Sequence, residues 1–167
     1  IVFNWNEIIY QVEKACDFRA SQLEEHLVKI RKSSKHTIQI FQGSGKLKSS
    51  TEVDIIAKDK VVGTIKCDNI ILASGSRPRK QDFIPIDEKN IVTSDGVHNF
   101  KAYPKSLIIM GSGVIGCEYA TIFSNLGQTK VHLVSRDSRI LPFEDKEITS
   151  VITNCLVQSG CEITYNA

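Results

Sequence analysis

Residues 106–120 read SLIIMGSGVIGCEYA, and this stretch decides the fold. Ser106 to Met110 is a short apolar run suited to a strand, and it passes directly into Gly111-Ser112-Gly113-Val114-Ile115-Gly116. After it, Ile115, Tyr119, Ile122, Phe123 and Leu126 recur at helical spacing, and Gly127 stands where a helix end favours a left-handed residue. Lys130 to Ser135 (KVHLVS) reads as the next strand. Glu144 to Ser159 reads as a second helix stopped by Gly160, and Cys161 to Tyr165 as a third strand. The order β-α-β-α-β predicts an α/β fold with parallel strands joined by right-handed crossovers.

A G-x-G-x-x-G run between a strand and a helix, inside a βαβ frame, is the context that a dinucleotide-binding fingerprint requires. Gly111 permits the tight turn, Gly113 lets the backbone approach a pyrophosphate, and Gly116 lets the helix pack close to the strand. Free N–H groups at the helix start then face the phosphate charge. Gly111, Ser112, Gly113, Val114, Ile115 and Gly116 are therefore the candidate NAD(P) loop. A ligand-free glycine turn is the bland alternative, and the βαβ frame argues against it.

The end of the second strand distinguishes NAD from NADP. NAD sites place an Asp or Glu there to bond the ribose 2′-OH. This chain has Ser135 and Arg136, with Asp137 just beyond. Arg and Ser can hold a 2′-phosphate that a carboxylate would repel. The strand end leans toward NADP(H), or toward both nucleotides, while a third glycine at Gly116 is the form more often met with NAD. A solvated surface role for Arg136 is the alternative.

The rest of the chain is read from periodicity. Ile8, Val12, Cys16, Leu23, Leu27 and Ile30 predict one amphipathic helix over the first thirty residues, with Asn4 and Glu7 spaced as a capping box. Short strands are expected at 37–41, ending in Gln42-Gly43-Ser44-Gly45, at 52–57 and at 61–67. Asn69 to Ala73 (NIILA) is expected to be a strand buried on both faces. Pro78, Pro85 and Pro104 punctuate a crossover in which a short helical piece fits near 95–100.

Composition narrows the function. Twenty-one basic residues against nineteen acidic give a net charge of +2 over 167 residues, without the concentrated basic face of a nucleic-acid protein. No apolar run approaches the roughly 20 residues of a membrane span. The cysteines Cys16, Cys67, Cys117, Cys155 and Cys161 form neither C-x4-C nor C-x-x-C, and buried, reduced structural thiols in a cytoplasmic protein are the expectation. The histidines have no metal-ligand spacing, so no metal site is expected. A start at Ile1 and an end just past a strand suggest an internal segment of a longer polypeptide.

ILASGSRP at 71–78, followed about thirty residues later by PKSLIIMGSGVIGCEYA, resembles the pyridine nucleotide-disulfide oxidoreductases, flavoproteins with two dinucleotide folds. GVIGCEYA looks most like their soluble, Si-specific transhydrogenases, while QGSGKL and RILPFEDKEI are also similar to the dihydrolipoamide dehydrogenases. The resemblance implies that residues 1–79 are the second part of an FAD-binding domain. It makes 80–104 a crossover linker and 105–167 the first part of a Rossmann-type NAD(P)-binding domain. It places Gly45 near the FAD adenosine and Ala73, Ser74, Gly75 and Ser76 beside the flavin nucleotide. It gives Glu118 a role near flavin and nicotinamide, although a carboxylate in a first helical turn is also favoured by the macrodipole alone.

By the same resemblance the complete protein is a homodimer that uses FAD and NAD(P)H and passes hydride between nicotinamide nucleotide and flavin. A transhydrogenase is the first expectation, a dihydrolipoamide dehydrogenase or related disulfide reductase the second. A stand-alone dinucleotide-binding module is the reading from another class. The segment by itself is expected to be inactive.

Overall fold

The computed structural model of the chain describes residues 4–33, 38–79 and 82–167. The chain forms two compact units, one of Ile1–Ala15 with Pro78–Ala167 and the other of Cys16–Arg77.

The first unit holds the parallel sheet expected from the sequence. Its strands are β4 (Ser106–Met110), β5 (Lys130–Val134) and β6 (Glu162–Thr164), in that order across the sheet. Leu107 pairs with Val131 and Leu133 with Ile163, all in parallel register. Helix α2 (Val114–Leu126) joins β4 to β5, and α3 (Lys146–Gln158) joins β5 to β6. Asp145 caps α3, its Oδ1 accepting from the N–H groups of Glu147 at 2.8 Å and Ile148 at 3.3 Å. Gly127 closes α2 in the left-handed conformation, φ 66°. Every buried apolar residue among those described lies in this unit, with Ala120, Phe123, Leu133, Ile140 and Leu156 at its centre.

Which face of α2 is buried differs from the expectation. Cys117, Ala120, Phe123 and Ser124 are buried, whereas Ile115 and Ile122 are 57% and 49% exposed. The cause is close approach. A Cβ on Gly116 would stand 1.9 Å from the Gly111 carbonyl oxygen, so the helix start lies against the loop and small side chains fill the narrow gap. SLIIM is half-buried on one side, at Leu107 and Ile109, and open on the other, with Ile108 68% and Met110 66% exposed.

A single turn of α1 (Trp5–Ser33) also belongs to this core. The Trp5 ring stacks on Phe123 and meets Tyr103 edge-on, and its Nε1–H donates to the Phe100 carbonyl at 2.7 Å. That packing explains why residues up to Ala15 group with the second half of the chain and not with the 16–77 stretch. A short 3-10 helix over Ser94–Asn99 occupies the expected place near 95–100, and the Tyr119 hydroxyl donates to its Ser94 carbonyl at 3.1 Å.

The second unit contains the remainder of α1 and an antiparallel meander, β1 (Ser44–Leu47), β2 (Glu52–Ala57) and β3 (Lys60–Lys66). Lys58 and Asp59 turn the β2–β3 hairpin with φ 49° and 59°, as a two-residue primed turn demands. Asn4 caps α1 as expected, accepting from Asn6 N–H at 2.9 Å and Glu7 N–H at 3.3 Å. The apolar stripe of α1 is not buried, however: Leu23 is 50% and Leu27 46% exposed.

Two strand expectations fail here. Residue 37 lies outside the described residues, and 38–41 are not in a strand. The first strand begins later, inside the glycine run, because Gly43 can lie under the Ile56 carbonyl where a Cβ would come within 2.6 Å. NIILA is in no strand, with Ile71 90% and Leu72 71% exposed. A strand needs a ladder, and none of the described residues supplies one.

Candidate nucleotide-binding site

The glycine loop sits between β4 and α2. Gly111 has φ 108°, a conformation that strains any other residue, and its N–H donates to the Val134 carbonyl at 2.9 Å. Gly113 is the N-cap of α2, with φ −77° and no side chain to fill the cap. A Cβ built on Gly113 would meet nothing within 4 Å, so open space lies where a phosphate would approach. Val114 and Ile115 are exposed at the helix start. The first N–H groups of a helix have no intrahelical acceptor, so this end presents donors to that space.

Ser112, Ser135 and Arg136 do not share one environment. The Ser112 and Ser135 hydroxyls are 2.7 Å apart and both residues are buried, Ser135 completely. Ser135, expected beside the ligand, has its hydroxyl against Ser112 of the loop. Arg136 is the opposite case. Its side chain is 89% exposed, and Nη2 stands 3.9 Å from Asp137 Oδ2. Both charges therefore lie at the β5 end, where a ribose would be read.

Glu118 is exposed and is the fifth residue of α2, past the first turn. The macrodipole explanation for it loses force, since that field is concentrated in the first turn. Burial first, then the charges of Asp95 and Glu118, raise the Tyr119 phenol above its usual value.

The flavin-side residues are less assembled. Gly45 lies in β1 opposite Ile55, and Ala73, Ser74, Gly75 and Ser76 are exposed. Gly75 has φ 77° and open space around it, which fits close approach of a ligand. No hydrogen bond among the described residues joins Gly45 to that turn.

The cysteines divide. Cys117 and Cys161 are buried, Cys67 is half-buried, and Cys16 and Cys155 are exposed, so the expectation of five buried thiols is corrected. Burial first, and the neighbouring Cys161 second, push the Cys117 thiol up to about 11. Among the described residues no cluster of His, Cys, Asp or Glu could hold a metal. No helix there is long and apolar enough to cross a membrane.

Sequence reasoning passed over the connection from β5 to α3 as a contributor to the site. Leu141 N–H donates to the Ser112 carbonyl at 2.8 Å, and Arg139 folds the connection by donating to the Glu144 carbonyl at 2.9 Å and to the Pro142 carbonyl. The signal was present in Arg139-Ile140-Leu141-Pro142, two large apolar residues in a polar connection.

Residues 5–167 match the family described as pyridine nucleotide-disulphide oxidoreductase. The chain belongs to this family. Among curated pyridine nucleotide-disulphide oxidoreductase relatives, the dihydrolipoyl dehydrogenase of Chlamydia pneumoniae is 38% identical over 130 residues, covering 78% of this chain and 27% of that protein. The soluble pyridine nucleotide transhydrogenase of Pseudomonas savastanoi pv. phaseolicola is 35% identical over 133 residues, covering 80% and 28%. The chain thus spans little more than a quarter of the length of these relatives. LpdA from Mycobacterium tuberculosis superposes with a TM-score of 0.82 at 24% identity, over 99% of this chain and 36% of that one. The HOCl-induced flavoprotein disulfide reductase RclA from Escherichia coli gives 0.75 at 24% identity, with the same coverage. These superpositions support the α/β fold of partial dinucleotide-binding domains expected for a member of the family.

Proposed function

We propose that this chain carries the nicotinamide-nucleotide loop and part of the flavin site of an FAD-dependent oxidoreductase, one that passes hydride between NAD(H) and NADP(H). The observation that carries the reading is the glycine loop: a Gly111 at a φ only glycine adopts freely, a Gly113 N-cap facing open space, and a Gly116 with no room for a side chain. In this reading residues 1–79 belong to the FAD-binding domain, 80–104 cross over, and 105–167 open the NAD(P)-binding domain. The complete protein is a cytoplasmic homodimer that needs neither nucleic acid nor membrane.

Each residue has a part. N–H groups of Val114, Ile115 and Gly116 receive the pyrophosphate, with Gly113 clearing its path. Arg136 takes the 2′-phosphate of NADP(H), and Asp137 offers a carboxylate to the ribose of NAD(H), which suits a site serving both. Gly45 and the 73–76 turn hold FAD through their backbone, and Glu118 lies toward the nicotinamide. FAD, when bound, supplies the hydride-accepting and hydride-donating chemistry.

Arg136→Glu in the full-length protein tests the ribose assignment. NADPH affinity should fall about tenfold or more, with NADH affinity nearly kept, because a charge-assisted contact to phosphate becomes a repulsion. Equal NADPH affinity in the two proteins would remove Arg136 from the site. The reaction is tested by hydride transfer from NADPH to an NAD+ analogue without any disulfide substrate.

A second reading, dihydrolipoyl dehydrogenase, is favoured by the 38% identity to the chlamydial relative of that name. Reduction of a lipoyl disulfide by NADH, with no nucleotide-to-nucleotide transfer, would select it.

A further inference from the structure

Ser135 is the most constrained polar residue beside the glycine loop. Its Oγ donates to the Asp137 carbonyl at 3.0 Å and accepts from Asp137 N–H at 3.2 Å. A serine hydroxyl has one proton and two lone pairs. That one proton has the Asp137 carbonyl, the Arg139 carbonyl at 3.5 Å and the Ser112 hydroxyl at 2.7 Å within reach, and either hydroxyl of the Ser112–Ser135 pair can donate to the other. The Ser135 hydroxyl is fully engaged by these groups. It joins the pyrophosphate loop, through Ser112, to the ribose-reading turn at 136–137.

The opposite side of Ser112 is held as well. Its carbonyl accepts Leu141 N–H at 2.8 Å, and Leu141 has φ 46°, a left-handed conformation unusual for a leucine. Such a residue persists where its surroundings over-determine it. Here they do: Ile140 is fully buried, Leu141 is 9% exposed, and Arg139 clasps the following carbonyls.

We infer that the buried Ser112–Ser135 hydroxyl pair, braced by the Leu141 strap, is a positioning device that holds the glycine loop in its nucleotide-binding shape and couples it to the ribose-reading turn. This rests on the nucleotide-binding reading above. Neither hydroxyl touches the ligand; both act through the backbone they fix. Binding groups held to within about half an ångström by such supporting contacts lose affinity when the support is removed.

Three variants of the full-length protein test it: Ser112→Ala, Ser135→Ala and the double substitution, each measured for NADH affinity and for thermal midpoint. Each single variant should bind NADH about tenfold more weakly, and the double no more weakly than the worse single, because the Ser112–Ser135 bond is lost in all three. Stability should behave differently. Ser135→Ala leaves the Ser112 hydroxyl buried and unpaired, and the double variant removes that orphan, so its midpoint should rise above that of Ser135→Ala. Affinity that recovers along with the midpoint would make the pair merely structural and overturn the proposal, as would unchanged affinity in Ser112→Ala. Should Ser135→Ala fail to fold, Ser112→Ala alone decides, since it cuts the bridge and leaves the bonds of Ser135 to Asp137 in place. Wild-type protein that binds no nicotinamide nucleotide would instead strike down the functional reading on which this one rests.

Discussion

Gly113 and Gly116 are three residues apart, yet replacing each by alanine should produce opposite outcomes. Gly113 has an ordinary φ and open space around its missing Cβ. Gly113→Ala should therefore leave the thermal midpoint near wild type and block the pyrophosphate, seen as loss of NADH binding in a titration. At Gly116 the new Cβ would meet the Gly111 carbonyl, a backbone atom that cannot step aside. Gly116→Ala should cost about 1–3 kcal/mol of stability, as overpacking usually does, read from chemical denaturation. The sequence marked three motif glycines, and the structure requires two of them, Gly111 for its φ and Gly116 for its contact. The sequence could not tell Ser135 from Arg136: both are polar residues at a strand end, and one is fully buried while the other is solvated. Hydroxyl burial depends on the partner across the fold, here Ser112, which is 23 positions away.

Elements whose partners are near in sequence were the legible ones. β2, the β2–β3 hairpin, β4, α2, β5 and α3 fall within a residue or two of their expected spans, since each carries its own periodicity and punctuation. Asp145 illustrates the local logic: one carboxylate oxygen receives two N–H groups of the first turn of α3. Asp145→Ala should cost about 1 kcal/mol in calorimetry and leave nucleotide affinity unchanged, because α3 caps the core and not the loop. Expectations failed where burial had to come from far away. NIILA has the composition of a buried strand but no neighbour among the described residues. The stripe on α1 has the right period and is exposed beyond its first turn. The buried face of α2 differs for another reason: periodicity locates apolar residues but does not reveal that a glycine contact draws the helix close enough to favour small ones.

Across the whole molecule, the buried core belongs to the unit that carries the glycine loop, and two of its members are ionisable thiols. The Cys117 thiol stands near 11 in the folded state, against an ordinary value of 9.0. Between those values the unfolded chain has released a proton that the folded one retains, so stability must fall as pH rises from about 9 through 11. Below pH 9 both states are protonated and the thiol contributes no pH dependence. Denaturant midpoints measured from pH 7 to 11 should show a plateau and then a decline, and Cys117→Ser should make that decline shallower, with the remainder left to Cys161, whose thiol burial also raises. The half-open parallel sheet is the other large-scale feature. Such sheets are ordinarily covered on both faces, and here the Ile108 and Met110 side is bare.

The chain has a single tryptophan, Trp5, sealed between Phe123 and Tyr103 in the same core. Indole emission from this chain consequently has one origin. It reports only on the unit that carries the glycine loop, whatever happens to residues 16–77. A red shift on heating would time the opening of that core alone, and a red shift that lagged loss of the meander's far-ultraviolet signal would show the two units melting separately.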